Sequence, residues 1–180
     1  MKKVLVTGAT GFIGRHVVKE LLAEGCEVII AGTDIKKASV MEWFGQVQYQ
    51  HLDLKNLESD KNYFSYFRSP DLLIHLAWEG LPNYLNEFHL TENLPRHKVF
   101  LTNMLSNGLK DLTVTGTCFE YGMKSGCLEE NMDSGPCNPY AEAKNKLRDY
   151  IETLKDRLEF DFKWPRLFYM YGEGQNPQSL

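Results

Sequence analysis

Residues 7–14 have the sequence TGATGFIG and stand between a short apolar run and a long amphipathic segment. Each glycine has a separate task. Gly8 permits a tight turn, Gly11 lets the backbone approach a pyrophosphate closely, and Gly14 lets the following helix pack on the preceding strand. The N-terminus of that helix offers unpaired N–H groups and a partial positive charge to phosphates. Because a strand precedes the turn and a helix follows it, the sequence predicts a dinucleotide-binding turn.

Outward from this turn, short apolar runs alternate with longer amphipathic segments. This order is typical of a parallel sheet covered by helices, and continuous apolar runs suit strands that are buried on both faces. Strands are expected in residues 2–7, 27–31, 47–52, 71–77, 111–117 and 160–169, and long helices in residues 12–25, 95–108 and 138–158. The predicted fold class is therefore α/β, a Rossmann-type doubly wound parallel sheet with helices on both faces.

The composition favours small-molecule chemistry. The 180 residues are 43% hydrophobic, a size at which one domain buries most of its surface, so residues 1–180 are expected to form one NAD(P)-binding domain. The net charge of -4, with scattered basic residues, indicates no nucleic-acid or membrane partner. No run approaches the roughly 18 apolar residues of a membrane helix, so a cytoplasmic protein is expected. The cysteines lack zinc-ligand spacing, and no metal site is expected.

The end of the second predicted strand bears on the choice of cofactor. An acid at this position binds the ribose 2′-hydroxyl of NAD in such folds, but Gly32 occupies it here. Asp34 comes two residues later, while Thr33, Lys36 and Lys37 are placed to surround a 2′-phosphate. We therefore expect NADP, with NAD as the alternative. The two lysines also fit an ordinary solvated helix surface.

Tyr140 and Lys144 lie four residues apart on a predicted helix, so both side chains project from the same face. Free tyrosine has a pKa of about 10, and a neighbouring ammonium is expected to lower that pKa by stabilising the phenolate. The pair can then act as an acid or a base. The same spacing alone also suits an ordinary helix surface.

Five motifs in a fixed order give the chain a resemblance to a known family. Besides TGATGFIG and the Tyr140/Lys144 pair, the chain contains LLIHLA, TGTCFEYG and RLFYMYGEGQ. Together they resemble the extended short-chain dehydrogenases/reductases of the NAD-dependent epimerase/dehydratase family, over essentially the whole sequence. The resemblance implies hydride transfer at a sugar carbon of a nucleotide-diphosphate sugar, with tyrosine giving or taking the hydroxyl proton.

The resemblance also implies site residues. Thr117 is expected to be the hydroxyl partner of Tyr140, and Asn93 to lie on the helix after the fourth strand. His75 is expected to be a hydrogen-bonded core histidine, while Asp53 either accepts a hydrogen bond from adenine or forms a turn. The expected cofactor site consists of Gly8, Thr10, Gly11, Phe12, Ile13, Gly14, Thr33, Lys36, Asp53, Leu54, Leu76, Ala77, Tyr140 and Lys144.

The residues after Thr117 separate the family's reactions. Dehydratases carry Asp and Glu there, whereas this chain has Cys118 and Phe119, so dehydration is disfavoured. Glu120 is one position too late and is expected to point to the other face of its strand. What remains is reduction of a 4-keto-6-deoxyhexose for surface-polysaccharide precursors, or 4-epimerisation with bound NAD. We expect the reductase, because a consumed NADPH suits net reduction.

The chain ends at Leu180, directly after the sixth-strand motif. Relatives continue there into a C-terminal substrate domain, which is expected to be absent. A dinucleotide-binding remnant without turnover is therefore an alternative to an enzyme. A homodimer is a further expectation. Tyr169 occupies a position where many relatives have Asn, and no catalytic role is assigned to it.

Overall fold

The computed structural model of the chain describes residues 1–175, so the chain end at Leu180 lies outside the described residues. The strands are β1 (Lys3–Thr7), β2 (Glu27–Gly32), β3 (Gln48–His51), β4 (Leu72–His75), β5 (Asp111–Val114), β6 (Gly116–Thr117), β7 (Asp161–Lys163) and β8 (Arg166–Leu167). Six of them form a parallel sheet in the order β3-β2-β1-β4-β5-β7. The order reverses between β1 and β4, which confirms the predicted doubly wound sheet.

The helices are α1 (Phe12–Ala23), α2 (Ile35–Ser39), α3 (Tyr63–Tyr66), α4 (Leu94–Ser106) and α5 (Pro139–Leu154). All three long helices are confirmed, with ends that local residues explain. Gly25 follows α1 with a φ of +73°, which stops the helix. At the start of α5, the Asn138 side chain accepts a 2.9 Å hydrogen bond from the Ala141 N–H, and Pro139 occupies the first helical position.

Helices cover both faces of the sheet because successive strand residues point to opposite sides. Val4 and Val6 pack in one core with Val18 of α1, whereas Leu5 packs in the other core with Phe100 of α4. All five side chains are fully buried. Each contributes about 1.5–3 kcal/mol of transfer free energy. The two cores therefore hold β1 in place from both faces, and β1 in turn pairs with β2 and β4, whose carboxyl ends lie beside its own.

Two predicted strands are each broken in two. The expected strand 111–117 leaves the main sheet after Val114, and the expected strand 160–169 is interrupted at Pro165. Proline has no N–H for a sheet ladder, and its carbonyl instead accepts the Gly116 N–H at 2.9 Å. As a result β6 and β8 form a separate two-stranded parallel sheet, and this small sheet carries Thr117. No helix within residues 1–175 is long and apolar enough to cross a membrane.

Candidate active site

The first of two neighbouring pockets opens where the strand order reverses. This switch-point pocket has a volume of about 320 Å³ and lies at the carboxyl ends of β1, β2 and β4. Open α/β sheets bind their ligands at this location. The predicted cofactor residues that line it are Gly8, Thr10, Gly11, Thr33, Asp53, Leu54, Leu76 and Ala77.

Close backbone contacts hold residues 7–14, which we call the phosphate turn. Gly8 has a φ of +70°, and a Cβ on it would lie 2.7 Å from the Ala77 nitrogen. A Cβ on Gly14 would lie 2.1 Å from the Gly8 carbonyl oxygen, so the helix and the turn meet at a distance that only glycine allows. Gly11 caps α1 without a side-chain hydrogen bond, which leaves the first N–H groups of the helix open. This cradle fits a pyrophosphate.

One side of the pocket is formed by the end of β2 and by α2, and we call it the ribose edge. It differs from the expected arrangement. Thr33 and Lys37 line the pocket, but Lys36 is exposed and lies outside the lining. Asp34 also lines the pocket and caps α2, because its carboxylate accepts the Lys36 N–H at 2.8 Å and the Lys37 N–H at 3.2 Å. The ribose edge therefore contains the Asp34 carboxylate as well as Lys37, one of the cations expected from the sequence.

Asp53 forms a turn after β3. Its carboxylate accepts the Lys55 N–H at 2.9 Å and the Asn56 amide at 2.6 Å. The backbone hydrogen bond from Lys55 holds the pKa of Asp53 below its usual value. Of the two roles expected for Asp53, the turn is observed, and the side chain still lines the switch-point pocket.

The second pocket, of about 380 Å³, brings the three predicted catalytic residues together. Thr117, Tyr140 and Lys144 all line this Tyr140 pocket, and Phe12 and Ile13 reach it from the phosphate turn. The two pockets share Leu76 and Trp78 in their linings. A ligand that extends from the phosphate turn across this boundary therefore reaches the three predicted catalytic side chains.

The protonation of Tyr140 and Lys144 differs from the sequence-based expectation. Burial raises the pKa of Tyr140, and the hydrogen bond with Thr117 only partly opposes this shift. Burial lowers the pKa of Lys144 to about 7, against the opposing charge of Glu120. The Lys144 ammonium donates a 2.7 Å hydrogen bond to the Thr115 carbonyl. The expected lowering of the Tyr140 pKa is therefore wrong, because desolvation dominates, and Tyr140 is a protonated acid at neutral pH.

Glu120 is a site residue that sequence reasoning missed. It does not point to the other face of a strand, since residues 118–121 form a 3₁₀ turn that Thr117 caps. The fully buried carboxylate of Glu120 accepts the Thr117 N–H at 2.8 Å and the Trp164 indole N–H at 2.9 Å. Its other oxygen accepts hydrogen bonds from Arg148 at 3.1 Å and from Arg166 at 3.0 Å. The pattern Thr-x-x-Glu is a capping box, and this signal was available in the sequence.

The Glu120 carboxylate thereby connects the elements that carry the predicted catalytic side chains. Thr117 belongs to β6, Arg166 to β8, and Arg148 to α5, the helix of Tyr140 and Lys144. A buried carboxylate that lost these partners would be costly, so the contacts hold the three elements in one arrangement. We call the group formed by Thr117, Glu120 and α5 the catalytic corner.

His75 is a core residue, as expected. Its Nδ1 lies 2.8 Å from the Thr7 hydroxyl and its Nε2 lies 2.7 Å from Nδ1 of His97. Burial holds the pKa of His75 at about 3 and places that of His97 well below its usual range, so both rings are neutral. His97 lines the switch-point pocket, whereas His75 is hydrogen-bonded to Thr7, which lines the pocket.

Comparisons with known proteins show the family of the chain. Residues 4–180 match the family described as the NAD dependent epimerase/dehydratase family. The chain is 33% identical to the dTDP-6-deoxy-L-talose 4-dehydrogenase (NAD(+)) of Aggregatibacter actinomycetemcomitans, over 98% of this chain and 64% of that protein. It is 27% identical to the uncharacterized UDP-glucose epimerase YtcB of Bacillus subtilis, over 97% of this chain and 58% of that protein. The solved structure of MoeE5 in complex with UDP-glucose and NAD has a TM-score of 0.79 and 25% identity, and covers 98% of this chain and 57% of that chain. The chain thus spans about three fifths of the length of these proteins.

Proposed function

The chain belongs to the NAD-dependent epimerase/dehydratase family, and we propose that it forms the cofactor-binding and proton-transferring part of an enzyme that reduces the C4 ketone of a nucleotide-diphospho-6-deoxyhexose. The observation that carries the proposal is the meeting of Thr117, Tyr140 and Lys144 in one pocket that adjoins the phosphate turn. The relative that is 33% identical bears the name of a 4-dehydrogenase of a dTDP-6-deoxyhexose, which is the reverse of this reduction. We propose that the product is a precursor for surface-polysaccharide synthesis.

In this mechanism the protein supplies the proton. The reduced nicotinamide, when bound, supplies a hydride to C4. Tyr140, which burial keeps protonated, donates its proton to the C4 oxygen as negative charge develops there. Thr117 donates a hydrogen bond to the same oxygen, and the Lys144 ammonium stabilises the phenolate that remains. The C4 ketone thereby becomes an alcohol.

The neighbours of Thr117 support reduction over dehydration. Cys118 lines the pocket, but burial raises the pKa of its thiol, so it is a poor base at neutral pH. Phe119 has no ionisable group and packs edge-on against Tyr84, with ring centroids 5.1 Å apart. Neither residue can remove or return the protons that elimination of water from a hexose requires.

Epimerisation at C4 is the second candidate function. The chain shares 27% of aligned residues with a protein named as an uncharacterized UDP-glucose epimerase. The same tyrosine then removes and returns a proton while the dinucleotide stays bound. Net consumption of the dinucleotide separates the two reactions.

We propose NAD(H) as the cofactor in preference to the NADP expected from the sequence. The Asp34 carboxylate lines the ribose edge and would repel a 2′-phosphate, whereas it can accept a hydrogen bond from a 2′-hydroxyl. Lys37 on the same edge is the feature that favours NADP. The 33% identical relative is named for NAD(+). The cytoplasmic location and the homodimer stay predictions.

The test uses the full-length protein with dTDP-4-keto-6-deoxyglucose and either NADH or NADPH. We expect oxidation of NADH and a new C4 alcohol that carries deuterium when the transferred hydride of NADH is replaced by deuteride. Interconversion of UDP-glucose with its 4-epimer without net oxidation would favour the epimerase. Dinucleotide binding without either reaction would favour a non-catalytic remnant.

A further inference from the structure

Trp78 stands at the boundary between the two pockets. Within residues 1–175, Leu76 and Trp78 are the residues that line both the switch-point pocket and the Tyr140 pocket. The indole is the larger of these two side chains. A ligand that joins the two pockets must pass its ring.

The indole of Trp78 is fixed in place by two histidines. The His97 ring stacks on it at a centroid distance of 4.4 Å and an interplanar angle of 10°. The indole N–H donates a 3.0 Å hydrogen bond to Nδ1 of His89. Because that nitrogen accepts, the other ring nitrogen of His89 carries the proton that it donates to the Asn83 carbonyl at 2.8 Å. The ring therefore has a fixed plane as well as a fixed position.

Both catalytic residues of α5 contact this fixed ring. The Lys144 ammonium nitrogen lies 4.2 Å from the Trp78 ring centroid, compared with 5.9 Å from the Tyr140 ring and 5.9 Å from the Trp164 ring. The Tyr140 ring meets the indole nearly edge-on at 5.8 Å. Tryptophan is the best aromatic partner for a cation, and the attraction grows when the cation is removed from water, as buried Lys144 is.

We propose that Trp78 is a positioning residue that holds the Lys144 ammonium at the junction of the cofactor and sugar pockets. The identity of the two ligands rests on the proposed function. The contact between the indole and the ammonium does not. Removal of the indole should therefore release the ammonium from the junction. It should also weaken dinucleotide binding, because Trp78 lines the switch-point pocket and Lys144 belongs to the expected cofactor site, while the phosphate turn stays intact.

Several charged or titratable groups surround this contact. Glu120 and Tyr140 lie near Lys144 within the catalytic corner. His75 and His97 lie on the opposite side, in β4 and α4, and His89 accepts the indole N–H. Burial keeps His75 and His97 neutral, and it lowers the pKa of Lys144 to about 7 against the opposing charge of Glu120. The charge above the indole should therefore change near neutral pH.

The first experiment follows the tryptophan emission of the 180-residue chain, without dinucleotide, through a pH titration. The chain of 180 residues has three tryptophans, so single variants identify the source of the signal. We expect a transition with a midpoint near the Lys144 pKa of about 7 that is absent in Trp78→Phe and in Lys144→Met. Trp43→Phe, in the core below β2, should keep it. No transition in the wild type, or one that survives Lys144→Met and so belongs to a histidine, would overturn the proposal.

The second experiment measures NADH binding by energy transfer from tryptophan and by an independent competition assay. Trp78→Leu should raise the NADH dissociation constant about tenfold, and Trp78→Phe by less because an aromatic face remains. Trp43→Phe is the matched control and should leave the constant unchanged. Unchanged binding in Trp78→Leu would contradict the proposal. If the protein binds NADH but reduces no keto sugar, the proposed function fails while both experiments still test Trp78.

Discussion

The phosphate turn and the catalytic corner lie on either side of Trp78, but different forces hold them. The turn is one run of eight residues whose shape depends on backbone contacts, such as that of Gly14 with the Gly8 carbonyl. The corner depends on one buried carboxylate whose side-chain partners lie 28, 44 and 46 positions away in sequence. The turn should therefore be sensitive to added volume, and the corner to lost charge.

The largest expected loss of stability comes from Glu120→Gln. An amide would remove the carboxylate that pairs with Arg166 and would leave Arg148 with Asp149 as its acidic partner, and the two arginine side chains are only 11% and 20% exposed. Removing one partner of a buried ion pair costs about 3–5 kcal/mol, so the free energy of unfolding in urea should fall by that amount. The rate of reduction should fall by about 100-fold, because Thr117 and α5 lose their common anchor.

Glu142→Gln is the matched control for this variant. Glu142 lies on α5 as well, but it pairs with Lys146 at 2.7 Å on the surface, where the two side chains are 44% and 55% exposed. Such pairs contribute about 0.3–0.5 kcal/mol. Similar losses for the two variants would show that the corner does not depend on buried charge.

Gly14→Ala tests the turn by volume alone. The new Cβ would lie 2.1 Å from the Gly8 carbonyl oxygen, so the helix or the turn must shift. Overpacking of this kind costs about 1–3 kcal/mol of unfolding free energy, and the NADH dissociation constant should rise as the phosphate cradle distorts. Gly45→Ala is the control, since a Cβ there meets nothing within 4 Å. Equal NADH affinity in both variants would refute the backbone account of the turn.

The effect that is smallest at neutral pH is a pH dependence of stability beneath the switch-point pocket. His75 and His97 have pKa values that burial lowers from 6.5, to about 3 for His75. The unfolded chain therefore binds protons that the folded chain does not, and stability is lost as the pH falls from 6.5 toward 3. His97→Gln should reduce this slope by at most about 1.4 kcal/mol per pH unit, measured by urea unfolding at several pH values. The exposed His16→Gln is the control, and an unchanged slope in His97→Gln would contradict the assignment.

The sequence predicted those parts of the fold that contiguous residues determine. Glycine spacing in residues 7–14 fixed the turn, Gly25 ended α1, and Asn138 with Pro139 started α5, all through local backbone rules. The spacing of Tyr140 and Lys144 on a helix was sufficient to place both on one face. The doubly wound parallel sheet was predicted from the alternation of strands and helices.

The features that sequence reasoning missed depend on distant partners or on burial. The break at Pro165 required knowing that Gly116 would pair there. The role of Glu120 depends on arginines 28 and 46 positions away, although its capping box was visible. The raised pKa of Tyr140 follows from a degree of burial that helical spacing does not reveal. The carboxylate of Asp34 reached the ribose edge because the residue caps a short helix.

Tyr140→Phe separates dinucleotide binding at the phosphate turn from proton transfer at the catalytic corner. The variant keeps the aromatic ring and lies outside the switch-point pocket. We expect an unchanged NADH dissociation constant and a rate of keto-sugar reduction that is about 10²- to 10⁴-fold lower. An unchanged rate of reduction, or a loss of NADH binding in step with the rate, would contradict it.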